Sequence, residues 1–210
     1  MLRRVHPARG GVRVTSRRRV VVAWVATVTA GALLGVGSAW LWLTRTDPAG
    51  TRIGPWLVNL EAGSTDASLY TRARIALKAL LALDRRETLY YIAQQDDAGR
   101  PLRSRCRYLI SGSIPAARWW SVTAYADDIF LFPDAEQRYS VSGETTLNTV
   151  GRFSAFTGPE TPVSGAIKWL PTPGDRGLIL TLRLYNPSPE VQADPGALAV
   201  PSIQRQGECP

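Results

Sequence analysis

Arg183 and Tyr185 alternate with Leu182 and Leu184 in the run from Gly177 to Tyr185. On a strand, that spacing puts a guanidinium and a phenol on one face, where together they can hold a carboxylate or a phosphate. A second polar and aromatic set, Trp119, Ser121, Thr123 and Tyr125, alternates with Trp120, Val122 and Ala124. These six residues (Trp119, Ser121, Thr123, Tyr125, Arg183 and Tyr185) are the candidate ligand-binding set. The structural alternative for Arg183 is that it pairs with a buried acid or stacks on an indole to cover the sheet.

Catalytic chemistry finds little support. His6 is the single histidine, and it precedes a long apolar run, so the rest of the chain lacks the base of Ser-His-Asp and Cys-His hydrolases. No GxSxG, phosphate-cradling Walker loop or HExxH occurs. Lys78 and Lys168 are the only lysines, and neither stands at a spacing from Ser111 or Ser121 that suggests a Ser-Lys pair. The adjacent carboxylates Asp96-Asp97 and Asp127-Asp128 lie beside turn signals, and strand neighbours point to opposite faces. Solvated loops are therefore expected there, rather than a glycosidase dyad. Glu144 and Glu160 fall in expected loops. One histidine and two distant cysteines cannot make a usual structural zinc site, so neither metal nor cofactor is expected.

The two thiols, Cys106 and Cys209, are most simply a disulfide if this part of the chain is exported, since extracytoplasmic compartments are oxidising. Two free thiols and intermolecular pairing are the alternatives. A bond would close a loop of about 100 residues, contributing at most about 4–5 kcal/mol in the chain-entropy view. It would also tie a tail rich in Pro and Gly onto the sheet.

Export is argued from where the charge lies. The chain of 210 residues has a formal net charge of +8. Seven arginines fall within residues 1–19, which contain no acid; beyond them 18 basic residues face 17 acids. The basicity belongs to a short tail, and no basic stripe interleaved with aromatics follows, so a nucleic-acid groove is not expected. Residues 20–43 are uncharged. As a helix they would run about 36 Å, enough to cross a hydrocarbon layer of about 30 Å. Trp24, Trp40 and Trp42 stand near its ends, where indoles favour the headgroup level. The arginine-rich side stays in the cytoplasm, which exports everything after Thr44. A cleaved signal peptide ending at Gly37-Ser38-Ala39 and a twin-arginine signal around Arg17-Arg18 are the competing readings. Gly31 and Gly35 form a GxxxG that could bring two copies of the span together as a homodimer.

The elements expected beyond the span are mostly strands. Residues 44–52 read as a linker and residues 53–210 as one domain. A helix is expected from Asp66 to Leu83, capped by Ser64, Thr65 or Asp66, with Leu69, Ala73, Ala76, Leu77, Leu80 and Leu83 forming a stripe that covers a sheet edge or face. Strands follow at 87–94, 105–111, 119–125, 152–157, 165–170 and 177–185, the first two as a hairpin around Asp96-Asp97-Ala98-Gly99. Short strands with Gly and Pro punctuation indicate an antiparallel β-sandwich or jelly roll. In it, Leu178, Leu180, Leu182 and Leu184 face the core together with Trp120, Val122 and Ala124.

Several separated segments carry a family resemblance: Asp96-Asp97-Ala98-Gly99-Arg100-Pro101-Leu102, then Cys106-Arg107-Tyr108 and Gly112, leading into Pro115 to Thr123. Lys168-Trp169-Leu170-Pro171-Thr172-Pro173 follows, then Leu182-Arg183-Leu184-Tyr185-Asn186-Pro187, and Pro201-Ser202-Ile203 before Cys209. This order resembles the bacterial domain-of-unknown-function family 1214, in a short, membrane-anchored form, over roughly residues 53–210. The resemblance implies a jelly-roll β-sandwich, often the C-terminal part of longer envelope proteins, and carries no established activity. Where longer members show Asn before the Trp-Leu-Pro motif, this chain has Lys168, and an anchor replaces their additional N-terminal domain.

The sequence therefore reads as a mainly β, single-pass inner-membrane protein. Its N-terminus is cytoplasmic, residues 20–43 sit in lipid, and a periplasmic sandwich serves as a non-catalytic binding or envelope-organising module. The alternative is an envelope enzyme acting on lipid or glycan through carboxylate, Tyr and Arg residues of the polar sheet face.

Overall fold

The structure, a computed structural model, describes residues 17–45, 50–61, 63–77, 83–143, 151–162 and 168–209. The chain divides into two compact units, Met1–Asp47 and Pro48–Pro210. In the first, helix α1 (Arg17–Arg45) includes a stretch, Arg17–Thr44, long and apolar enough to cross a membrane. Its large side chains face outward, Leu34 being 74% exposed, an arrangement that water disfavours. The hydroxyls of Ser38 and Thr44 donate back to the carbonyls of Gly35 and Trp40, at 3.0 and 2.9 Å, so neither needs a partner outside the helix.

The second unit is a sandwich of two sheets. One has six strands in the spatial order β1 (Thr51–Ile53), β2 (Trp56–Val58), β3 (Thr88–Ala93), β9 (Leu178–Pro187), β5 (Ala117–Ala126) and β6 (Ser140–Ser142). The other has four, ordered β10 (Ser202–Arg205), β4 (Tyr108–Ser113), β7 (Arg152–Gly158) and β8 (Lys168–Pro171). All pairings are antiparallel except β7 with β8, which run parallel with Ala155 opposite Lys168.

Alternation decides which side chains meet between the layers. Leu178, Leu180, Leu182 and Leu184 of β9 are buried, as are Trp120, Val122, Ala124 and Ala126 of β5. Trp120 packs on Phe153 of β7, ring centroids 4.4 Å apart, so the two layers meet through an aromatic pair. Tyr91 of β3 also points inward; its hydroxyl donates to the carbonyl of Pro195 at 3.0 Å. Burial, assisted by the charge of Asp194, pushes that phenol above its ordinary range. A short helix, α3 (Pro189–Ala193), follows β9. Ser188 caps it, its hydroxyl accepting from the Val191 N–H at 3.4 Å.

Three expectations change. The helix expected over 66–83 is α2 (Leu69–Leu77), with residues 78–82 outside the described ones. Ser68 caps it, its hydroxyl accepting from the Thr71 N–H at 3.1 Å, while Ser64 instead accepts from Asp66 in the preceding turn. Leu69 is 81% exposed, so the stripe does not begin on the sheet as periodicity suggested. The expected hairpin is also replaced. The turn at 96–100 forms: Asp96 N–H donates to the carbonyl of Arg100, and Gly99 supplies the positive φ of 76°. Pro101 stands at a non-hydrogen-bonded position opposite Gln95, where its missing N–H costs nothing, and the Leu102 N–H donates to the Gln94 carbonyl at 2.9 Å. From there the chain leaves β3: the Leu102 carbonyl accepts from the Leu178 N–H at 3.1 Å, Arg103 bridges Gly177, and the following β4 lies in the other sheet, paired with β10 and β7. Finally, the strand expected at 165–170 is β8 (Lys168–Pro171), residues 165–167 lying outside the described ones, and its partner β7 runs the same way rather than antiparallel.

Candidate ligand-binding face

The outward face of the six-stranded sheet is built by the register of β5 on β9. Trp119 stands opposite Tyr185, Ser121 opposite Arg183, Thr123 opposite Thr181 and Tyr125 opposite Ile179. All six candidate residues therefore lie on one face of two paired strands. Register adds Thr88, Tyr90 and Ile92 from β3, opposite Tyr185, Arg183 and Thr181, and Ser142 and Ser140 from β6, opposite Ser121 and Thr123.

Small side chains form its floor and large ones its walls. Thr88, Ser121, Thr123, Ser142 and Thr181 are buried, whereas Tyr90, Trp119, Tyr125, Arg183 and Tyr185 are half-buried. Trp119 and Tyr185 meet with ring centroids 5.0 Å apart at 58°, within the tilted geometry that aromatic pairs favour. Thr88 Oγ1 is buried with no hydrogen-bond partner.

Arg183 is held at the centre of this face. Its Nη1 donates to Thr123 Oγ1 at 3.1 Å and its Nη2 to Tyr125 Oη at 2.8 Å. Its Cζ lies 5.4 Å from the Tyr125 ring centroid, a cation–π contact. Among the described residues no carboxylate pairs with it. Of the two structural roles considered for Arg183, pairing with a buried acid is thus not what is found. The guanidinium rests on two neutral hydroxyls and a phenol ring. Two of its five N–H donors are used in these bonds, and among the described residues its charge has no counter-charge beside it.

The remaining acids have structural work. Asp96, 2% exposed, accepts from the N–H groups of Ala98 and Arg100 and from Arg100 Nε, at 3.0, 2.9 and 2.9 Å. Asp97 accepts from the Ile203 N–H through both carboxylate oxygens, at 3.0 and 3.1 Å, tying the last strand to the turn. Asp127 and Asp128 both pair with Arg176, at 3.0 and 2.7 Å, and this partner holds the Asp128 carboxyl below its usual range. Glu160 pairs with Arg107 at 2.7 Å, and Glu144 lies outside the described residues. Asp96, Asp97, Asp127, Asp128 and Glu160 thus each have a cation or backbone partner. Cys106 and Cys209 stand at disulfide distance, their Cα atoms 4.7 Å apart. Gly31 and Gly35 lie one turn apart on α1, with open space around both.

Sequence reasoning missed Tyr90, because nothing local says which residue of β3 faces Arg183. It also missed the clamp of Asp134, Arg138 and Trp169. There Arg138 donates from Nε and Nη2 to the two Asp134 oxygens, at 3.0 and 2.7 Å, while its Cζ lies 4.6 Å from the indole centroid. The spacing of Asp134 and Arg138 was the available signal.

With this sandwich in view, the comparisons place it. Residues 87–189, the stretch from the start of β3 to the end of β9 and beyond, match the family described as "Protein of unknown function (DUF1214)". That region belongs to DUF1214. The six candidate residues all fall inside the DUF1214 match, whereas Cys209 and β10 lie beyond it. No curated protein matches the chain. Among solved structures, the VPA0106 protein of Vibrio parahaemolyticus superposes with a TM-score of 0.55 at 20% identity, over 68% of this chain and 36% of its own length. This chain thus spans about a third of that protein, and the likeness is one of fold. A putative uncharacterized protein from Burkholderia cenocepacia gives a TM-score of 0.41 at 16% identity, over 57% of this chain and 29% of that one.

Proposed function

We propose that the chain is a single-pass inner-membrane protein whose DUF1214 sandwich, on the periplasmic side, is a binding module of the cell envelope. Its recognition surface is the outward face of the six-stranded sheet, and Arg183 is the anchor for an anionic group. The observation that carries this is a half-buried guanidinium oriented by Thr123 and Tyr125 yet lacking a carboxylate partner among the described residues. Such a charge is costly to desolvate and is best compensated by a ligand that supplies the missing anion. Seven arginines and no acid before the uncharged run 20–43 favour a cytoplasmic N-terminus. Two cysteines at disulfide distance suit an oxidising compartment.

Two experiments test the reading. Reporter fusions after Leu43 and at the C-terminus should both be active outside the cytoplasm; a cytoplasmic C-terminal reporter overturns the topology. Thermal-shift titration of the purified chain with simple carboxylates and phosphates should raise its melting temperature, and Arg183→Gln should remove the rise. If no anion shifts the wild-type chain, the face is not an anion-binding surface.

A further inference from the structure

We infer that the ligand of this face is an amphiphilic monocarboxylate, its acid group on Arg183 and its apolar body laid over the side chains around it. This rests on the binding reading above and narrows it to a chemical class.

The number of charges argues for a monoanion. Arg183 is the one charged residue of the central strands β3, β9 and β5 that shares the outward face. One guanidinium balances one carboxylate, and its fork matches the two oxygens bidentately. A phosphate monoester carries about −1.5 to −2 at neutral pH and would leave charge unmatched. After the bonds to Thr123 and Tyr125, three N–H donors remain for such a contact.

What surrounds the cation argues for an apolar body. Directly opposite Arg183 on β3 is Tyr90. Along the face in one direction lies the Trp119–Tyr185 pair; in the other lie Ile92, Ile179 and Tyr125, all half-buried. Tyr125 bridges to Leu131, which is 42% exposed, beside Phe130 at 73%, so the apolar surface continues past the strand end. A small hydrophilic anion would use Arg183 and leave these rings wet. An acid with a hydrocarbon or aromatic body would cover them, gaining up to about fourfold in affinity for each methylene buried.

Calorimetric titration of the full chain in zwitterionic nanodiscs, with empty discs as the blank, tests this with acetate, butyrate, hexanoate, octanoate, hexanol and octyl phosphate. The expected result is an affinity that climbs two- to fourfold per methylene from butyrate to octanoate, with hexanol at least tenfold weaker than hexanoate. Arg183→Gln should bring hexanoate down to hexanol, and Trp119→Ala should flatten the chain-length dependence. The acid-against-alcohol comparison on the wild-type chain stands even if a variant fails to fold. Equal binding of acetate and octanoate overturns the amphiphile and leaves the anion site intact. Octyl phosphate binding more tightly than octanoate overturns the carboxylate. No binding by any acid overturns both this inference and the reading beneath it.

Discussion

Trp120 and Phe153 come from different sheets and meet at the middle of the sandwich, their ring centroids 4.4 Å apart with planes inclined by 39°. Phe153 is 2% exposed and Trp120 3%, so this pair is where the two layers are joined. Truncating Phe153→Ala would remove the ring and leave a cavity that the sheets can only partly close. The expected loss is about 3–5 kcal/mol, read as a lower urea midpoint. A loss below about 1 kcal/mol would mean that the layers do not depend on this contact.

The Cys106–Cys209 pair fastens the end of the chain to the start of β4 across a sequence separation of 103 residues. Cys106 is fully buried, so Cys209→Ser is the cleaner variant. It should cost about 2–4 kcal/mol in the absence of reductant. Adding a reducing agent should lower the wild-type chain to the level of the variant and leave the variant itself unmoved. A wild-type midpoint indifferent to reductant would show that no bond forms between them.

Asp96 gathers two backbone N–H groups on Oδ1 and Arg100 Nε on Oδ2, and Arg205 Nε approaches the same Oδ2 at 3.7 Å. Asp96→Ala would take the acceptor away from these part-buried bonds, and about 1–3 kcal/mol of stability should go with the carboxylate. Asp96→Asn keeps the shape and one acceptor and should lose less. Thermal unfolding of the two variants side by side would expose the opposite order, which would contradict this account.

Arg138 holds the Asp134 carboxyl down to about 2, through the side-chain bonds first and the backbone N–H of Arg138 next. Its folded value lies below the ordinary 3.8, so the charged form favours the folded state. That contribution is complete above about pH 4 and disappears as pH falls through about 2. Urea midpoints of wild type and Asp134→Asn should therefore differ at pH 7 and converge towards pH 2. A gap that stays constant over that range would rule out the carboxylate as its source.

Long, regular alternation was legible. Four leucines in β9 and the set Trp120, Val122 and Ala124 in β5 each mark a buried face within one strand, because a period of two is a local property. Strands of three or four residues, β1, β2, β6 and β10, show too few repeats for that signal. Pairing partners were not legible either. The turn at 96–100 looked like the tip of a hairpin, yet past Leu102 the chain changes partner to Gly177 and Leu178, and β4 lies in the other layer. For the candidate face, the strands announced which residues share it. What holds Arg183 depends on Thr123 lying 60 positions earlier in the chain, a distance at which sequence spacing carries no information.

Strand β9 lies between β3 and β5 and completes both of their ladders. It is also among the last parts of the domain to be made. While residues 88–126 already exist and 178–187 do not, two rows of backbone amides and carbonyls stand open along what will become the interior of the layer. Open rows of this kind recruit other chains. The nascent domain therefore has to be kept from its neighbours until translation has passed position 187, and any message truncated before that point yields a product with two adhesive seams instead of a smaller version of the fold.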